Sequence, residues 1–122
     1  MSTYEGFVIV PNVKGHASGF GRVSFREGSV TIPRRTPTLL NGHGGPALGK
    51  ITAIRHEDGG VWIEVDVPGV DEDKLGVSPE LSNVTVCGRE IIAGHLDRVA
   101  LVESPRFDTF LTRQENLFEG DN

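Results

Sequence analysis

Four histidines, one cysteine and a glycine-rich loop carry the chemistry that can be read directly from this chain. His16, His43, His56 and His95 each bear an imidazole able to act as a base or a metal ligand near neutral pH. A zinc site draws on closely spaced ligand pairs such as CxxC or HxxxH. No such pair occurs here, so the histidines read as solvated side chains, and neither a metal nor a cofactor is expected. Gly44-Gly45-Pro46-Ala47-Leu48-Gly49-Lys50 has the GxxxxGK spacing of a phosphate loop. Ile51 stands where a hydroxyl should meet magnesium, and a β-rich run follows in place of a helix whose N-terminus would hold the phosphate. The motif is rejected. Cys87 is the only cysteine, which excludes an internal disulfide and fits a cytosolic origin. Asn83-Val84-Thr85 is a glycosylation sequon, but no secretory signal accompanies it.

The elements that must position these groups are organised around residues 39–67. A short apolar segment, Leu39-Leu40, leads into the glycine-rich loop that holds His43. Residues 51–56 then read as a strand, and Asp58-Gly59 supplies the positive φ angles of a tight hairpin. Val61, Ile63, Val65 and Val67 alternate with Trp62, Glu64 and Asp66, so the aliphatic face points inward. Trp62 lies on the other face, where it either packs under a neighbour or anchors a partner.

Strands are also expected at 4–10 and within 20–26, with Glu27-Gly28 turning the chain into a second hairpin arm over 29–32. Pro33 and Pro37 bracket Arg34-Arg35 as an extended linker. Residues 70–74 form at most one helical turn, and 75–81 is short and broken by Pro79. A further hairpin crosses Gly88, and 96–102 is the last strong apolar run. The prediction is a mainly β fold: a small closed or partly open barrel or sandwich of antiparallel strands with little helix. It places one domain over 1–107 and a C-terminal tail over 108–122.

The chain has 122 residues and a net charge of −5. That length suits a single core. The acidic balance argues against nucleic acid and acidic membranes as partners, since both require a basic face. No run approaches the ~20 apolar residues of a membrane span.

Three segments, in order, resemble the phage prohead maturation protease family, whose relatives include the herpesvirus assemblin proteases. Leu39-Leu40-Asn41-Gly42-His43 followed by Leu48-Gly49-Lys50-Ile51 is similar to that family's Asn-His-Asp loop and Gly-x-Val. Leu75-Gly76-Val77-Ser78-Pro79-Glu80-Leu81 is similar to its Gly-x-Ser nucleophile segment. Leu96-Asp97-Arg98-Val99-Ala100-Leu101-Val102-Glu103-Ser104-Pro105 resembles the late strand that carries the third catalytic group. The resemblance covers about residues 4–107 and implies an assemblin-like fold and a phage origin. It also implies Ser78 as nucleophile, His43 as base and Arg106 as an oxyanion-supporting cation. The third member is left between His95 and the Arg98 position.

Three departures from the family pattern favour a lost activity. An ungapped match anchored on Gly49 sets Gly42, not His43, on the catalytic histidine. Arg98 occupies the third position, and a guanidinium has no acceptor for an imidazole N–H. The helix that usually precedes the nucleophile segment is reduced to 70–74. The expectation is therefore a virion structural protein, a decoration or minor capsid protein on a degraded protease fold. It would bind the major capsid protein and copies of itself on the shell after assembly in the host cytoplasm. Trp62 and the tail residues Phe107, Phe110, Leu111, Leu117 and Phe118 are its candidate contacts. The alternative is an active serine protease that cleaves scaffold and capsid precursors.

Overall fold

In a computed structural model that describes residues 2–114, ten strands form one open sheet: eight follow the order β2-β3-β9-β8-β10-β1-β7-β6, and β4 and β5 each pair with β9 off that path. The strands are β1 (Ser2–Ile9), β2 (Gly15–Ala17), β3 (Gly21–Phe25), β4 (Val30–Thr31), β5 (Thr38–Asn41), β6 (Lys50–Glu57), β7 (Gly60–Val67), β8 (Lys74–Cys87), β9 (Glu90–Val102) and β10 (Phe110–Arg113). No helix occurs among the described residues, and the fold is a mainly β, partly open sandwich.

Local chemistry accounts for the two main hairpins. Asp58 and Gly59 take φ angles of 49° and 80°, as a two-residue β6–β7 turn with both residues left-handed requires. Gly88 takes φ 64° at the turn between β8 and β9. The period-two pattern of β7 is realised in full: Val61, Ile63, Val65 and Val67 are completely buried. They join Tyr4, Val8, Leu39, Val77, Leu96, Val99 and Leu111 in the core. Burial of each such side chain is worth about 1.5–3 kcal/mol, which is what holds long strands of modest propensity in register. Trp62 is half-buried, with the Arg55 guanidinium 3.8 Å above its ring, so it packs under a neighbour within the sheet.

Four expectations are corrected. First, the chain after Glu27-Gly28 does not return along β3. Instead β3, β4 and β5 lie one after another along the same edge of β9, all parallel to it. The Gly28 N–H bonds the Gly59 carbonyl, which draws that turn toward the β6–β7 hairpin. Second, residues 15–17, where the sequence reading places no strand, form β2 and pair with β3.

Third, Pro79 does not break the 75–81 segment, because β8 runs unbroken through it for 14 residues. The Val77 N–H donates to the Thr109 carbonyl on the β10 side. Two residues on, the Pro79 nitrogen faces that same side, beyond the residues that β10 pairs, so its missing N–H costs no ladder bond.

Fourth, the domain does not end at 107. β10 is inserted between β1 and β8, with Leu111 fully buried, and Phe107 packs on Phe25 at a ring-centroid distance of 5.1 Å. Phe107 and Leu111 are therefore part of the core assembly, and Phe110 is the exposed member, at 43%. Leu117 and Phe118 lie outside the described residues.

Candidate active site

The tandem of β3, β4 and β5 beside β9 decides where His43 goes. β5 ends with Asn41 opposite Leu101 of β9, and the Gly42 N–H bonds the Leu101 carbonyl. Gly42 and Gly44 then take φ angles of 83° and 70°, a left-handed geometry that glycine adopts without a Cβ penalty. The loop closes on itself through Gly45 N–H to the Gly42 carbonyl and Asn41 N–H to the Pro46 carbonyl. His43, between the two left-handed glycines, is carried back across β9 toward β8.

On β8, Ser78 and Glu80 are two residues apart and share one face. Ser78 lies opposite Ala100 of β9, and Glu80 lies opposite Arg98. His43 bridges the two. Its Nε2 is 2.9 Å from Ser78 Oγ, and its Nδ1 is 2.8 Å from Glu80 Oε2. The donor directions follow from the groups themselves. An ionised carboxylate can only accept, so Nδ1–H donates to Glu80, and a neutral imidazole then has its Nε2 lone pair free for the Ser78 hydroxyl. That is the tautomer and order of a Ser-His-acid triad.

Glu80 is held from three directions. Arg98 Nε donates to Oε1 at 2.7 Å, His43 donates to Oε2, and the Gly44 N–H adds a backbone bond. Burial pushes the carboxyl up, but Arg98, His43 and Gly44 together outweigh it and hold Glu80 below the ordinary carboxylate range. The carboxylate is thus ionised wherever a histidine base would be working. The His43 side chain is 50% exposed and that of Glu80 only 16%, so the base is open to a substrate while its acid is shielded.

These groups line a cleft of about 670 Å³ together with His16, Ser18, Phe20, Phe107 and Arg106. Arg106 Nη1 donates to His16 Nδ1 at 3.2 Å and to Ser18 Oγ at 3.1 Å, which fixes its guanidinium within the same cleft as Ser78.

Of the candidate catalytic residues, Ser78 and His43 are brought together and Arg106 faces the same space. His95 is not near them: its Nδ1 lies 2.6 Å from Thr31 Oγ1, and it pairs with Ser82 across the hairpin. Arg98 does not take the third role either. It binds Glu80, the carboxylate that His43 Nδ1 faces. Glu80 was missed because Pro79 was read as the end of a strand. A strand continued through Pro79 puts residue 80 on the same side as Ser78, and that alone would have singled out the carboxylate. Among the described residues no cluster of three or more His, Cys, Asp or Glu side chains could hold a metal ion. In comparisons with known proteins, no family model matches the chain, and neither a curated protein nor a solved structure matches it significantly.

Proposed function

We propose that the chain is a serine peptidase that uses Ser78, His43 and Glu80, with the scaffold and capsid precursors of an immature phage shell as its substrates. The catalytic reading is carried by one observation: the two nitrogens of His43 engage Ser78 and Glu80 at once. The phage reading rests on the resemblance of the 39–51, 75–81 and 96–105 segments to prohead maturation proteases.

In the first half-reaction the Ser78 hydroxyl gives its proton to His43 Nε2 while Oγ bonds to the substrate carbonyl carbon. The negative oxygen that forms is stabilised by Arg106. The C–N bond then breaks, and the leaving amine takes the proton from Nε2. Water repeats the sequence on the acyl-serine, restoring Ser78 and releasing the acid. Throughout, Glu80 keeps Nδ1–H oriented and offsets the charge on the imidazolium.

A fluorophosphonate probe tests this reading. Wild-type protein is expected to form one covalent adduct, at Ser78. The Ser78→Ala variant is expected to form none, and His43→Ala to react at least about 10³-fold more slowly. A wild-type protein that stays unlabelled, or a Ser78→Ala variant that labels equally, overturns the assignment.

A shell-bound structural role is the second reading, favoured by Phe110, an apolar side chain exposed on β10 and available to a capsid partner. The two readings separate in purified mature particles. An intact chain bound to the shell supports the structural role, and its loss together with processed precursors supports the peptidase.

A further inference from the structure

The lining of the catalytic cleft is of two kinds. His43, Ser78 and Arg106 are polar, and Phe20, Phe25, Leu81, Val84, Ile91 and Phe107 supply an apolar wall. The base of that wall is buried. Phe25 and Ile91 are each 2% exposed, and the Phe25 and Phe107 rings meet at 50°. Its rim is Phe20, 50% exposed and one of only three large hydrophobic side chains that the described residues leave open to water. Phe20 sits on the turn between β2 and β3, where its N–H bonds the Ala17 carbonyl. The flanking Gly19 and Gly21 have positive φ and open space where a Cβ would stand, and the turn is tied to the cleft by the Arg106 Nη1 bond to Ser18 Oγ. A lone exposed phenylalanine is ordinary. One set at the mouth of a cleft that already holds the nucleophile is a contact surface for whatever the nucleophile attacks.

The charged groups of the cleft do not compete for that role. Arg98 is engaged by Glu80, and Arg106 is turned onto His16 and Ser18. What remains for side-chain recognition beside the scissile bond is apolar.

Resting on the peptidase reading, we propose that this wall is a specificity subsite for a bulky apolar side chain (Leu, Ile, Met or Phe) within two residues of the scissile bond, with Phe20 folding over it. Apolar subsites discriminate through the area they bury, at about ten- to two-hundredfold for each methylene-sized difference.

The test is digestion of a defined peptide mixture by the full chain, with cleavage sites read by mass spectrometry. At one position near the cut, bulky apolar residues are expected to be enriched about tenfold or more over Ala, Ser and Asp. Phe20→Ser on the rim and Val84→Ser on the wall are each expected to reduce that enrichment severalfold. Cleavage that depends on Ser78 but shows no apolar position overturns the subsite and leaves the peptidase standing, as does unchanged enrichment in both variants. Absence of any Ser78-dependent cleavage removes the peptidase reading and the subsite with it.

Discussion

Glu80 and Arg98 face each other directly across β8 and β9, with Arg98 Nε 2.7 Å from one carboxylate oxygen while His43 occupies the other. On the proposed peptidase reading, the pair reconciles an arginine in the third-residue position with a histidine base. The arginine is not a substitute for the acid but its holder. Removing the acid while keeping its shape is the direct check. Glu80→Gln presents an amide that can donate toward Nδ1, so the imidazole is free to sit in the wrong tautomer. Turnover, or the rate of fluorophosphonate labelling, is expected to fall by about 10³–10⁴ with the fold intact. A loss below tenfold would remove Glu80 from the triad.

The depressed titration of Glu80 gives a stability signature with a definite sign. A carboxyl whose folded-state pKa lies below its unfolded value stabilises the fold above the unfolded value, and that stabilisation is lost as pH falls through the folded one. Urea midpoints of wild type and Glu80→Gln are therefore expected to differ most above about pH 5 and to begin converging only as pH falls below the ordinary glutamate value of about 4.3. A difference that grows on acidification would contradict the assigned hydrogen bonds.

Arg98 acts only through Glu80, so its removal should loosen the triad without abolishing it. Arg98→Met keeps much of the aliphatic stem and deletes the donor at Oε1. Labelling of Ser78 is expected to slow by about ten- to a hundredfold, the scale of a catalytic group held out of place. The acid end of the stability profile should shift upward in the same variant, because Arg98 heads the interactions that lower the Glu80 titration. A purely structural role for Arg98 would leave that profile where it is.

The loop that delivers His43 tolerates little. A Cβ at Gly45 would run into the Asn41 carbonyl oxygen, which is backbone and cannot swing aside. Gly45→Ala is expected to move the 42–45 turn and cost activity well beyond its effect on stability, since the loop is exposed and lies outside the core. Comparing Tm with labelling rate separates the two effects: a large fall in labelling with a small fall in Tm is the expected result.

How much of this was legible in the sequence depended on whether local chemistry or long-range pairing decided the outcome. The Asp58-Gly59 hairpin and the buried face of β7 follow from turn residues and alternation, and both were readable. Ser78 and His43 were reached through the order of three segments, with no spacing that could reveal their contact 35 positions apart. Glu80 was hidden by Pro79, because the rule that proline ends a strand fails where a neighbouring strand has already stopped. The parallel docking of β3, β4 and β5 along β9 was not readable, since nothing local in two- to five-residue strands chooses a partner.

Residues 110–113 were the other misreading, and they supply a quantitative test. A chain end spotted with Phe107, Phe110 and Leu111 looks like a free arm when only its polarity is considered. Yet Leu111 is fully buried, opposite Leu75 of β8, and the Thr109 hydroxyl, itself 3% exposed, donates to the Val77 carbonyl one residue before Ser78. This segment therefore braces the strand that carries Ser78. Leu111→Ala is expected to cost about 2–5 kcal/mol, the range for emptying a core leucine site. The cost should appear as a lower urea midpoint with little change in slope. If residues 110–113 were instead a docking arm, the same substitution would leave the midpoint unmoved and weaken only binding to a partner.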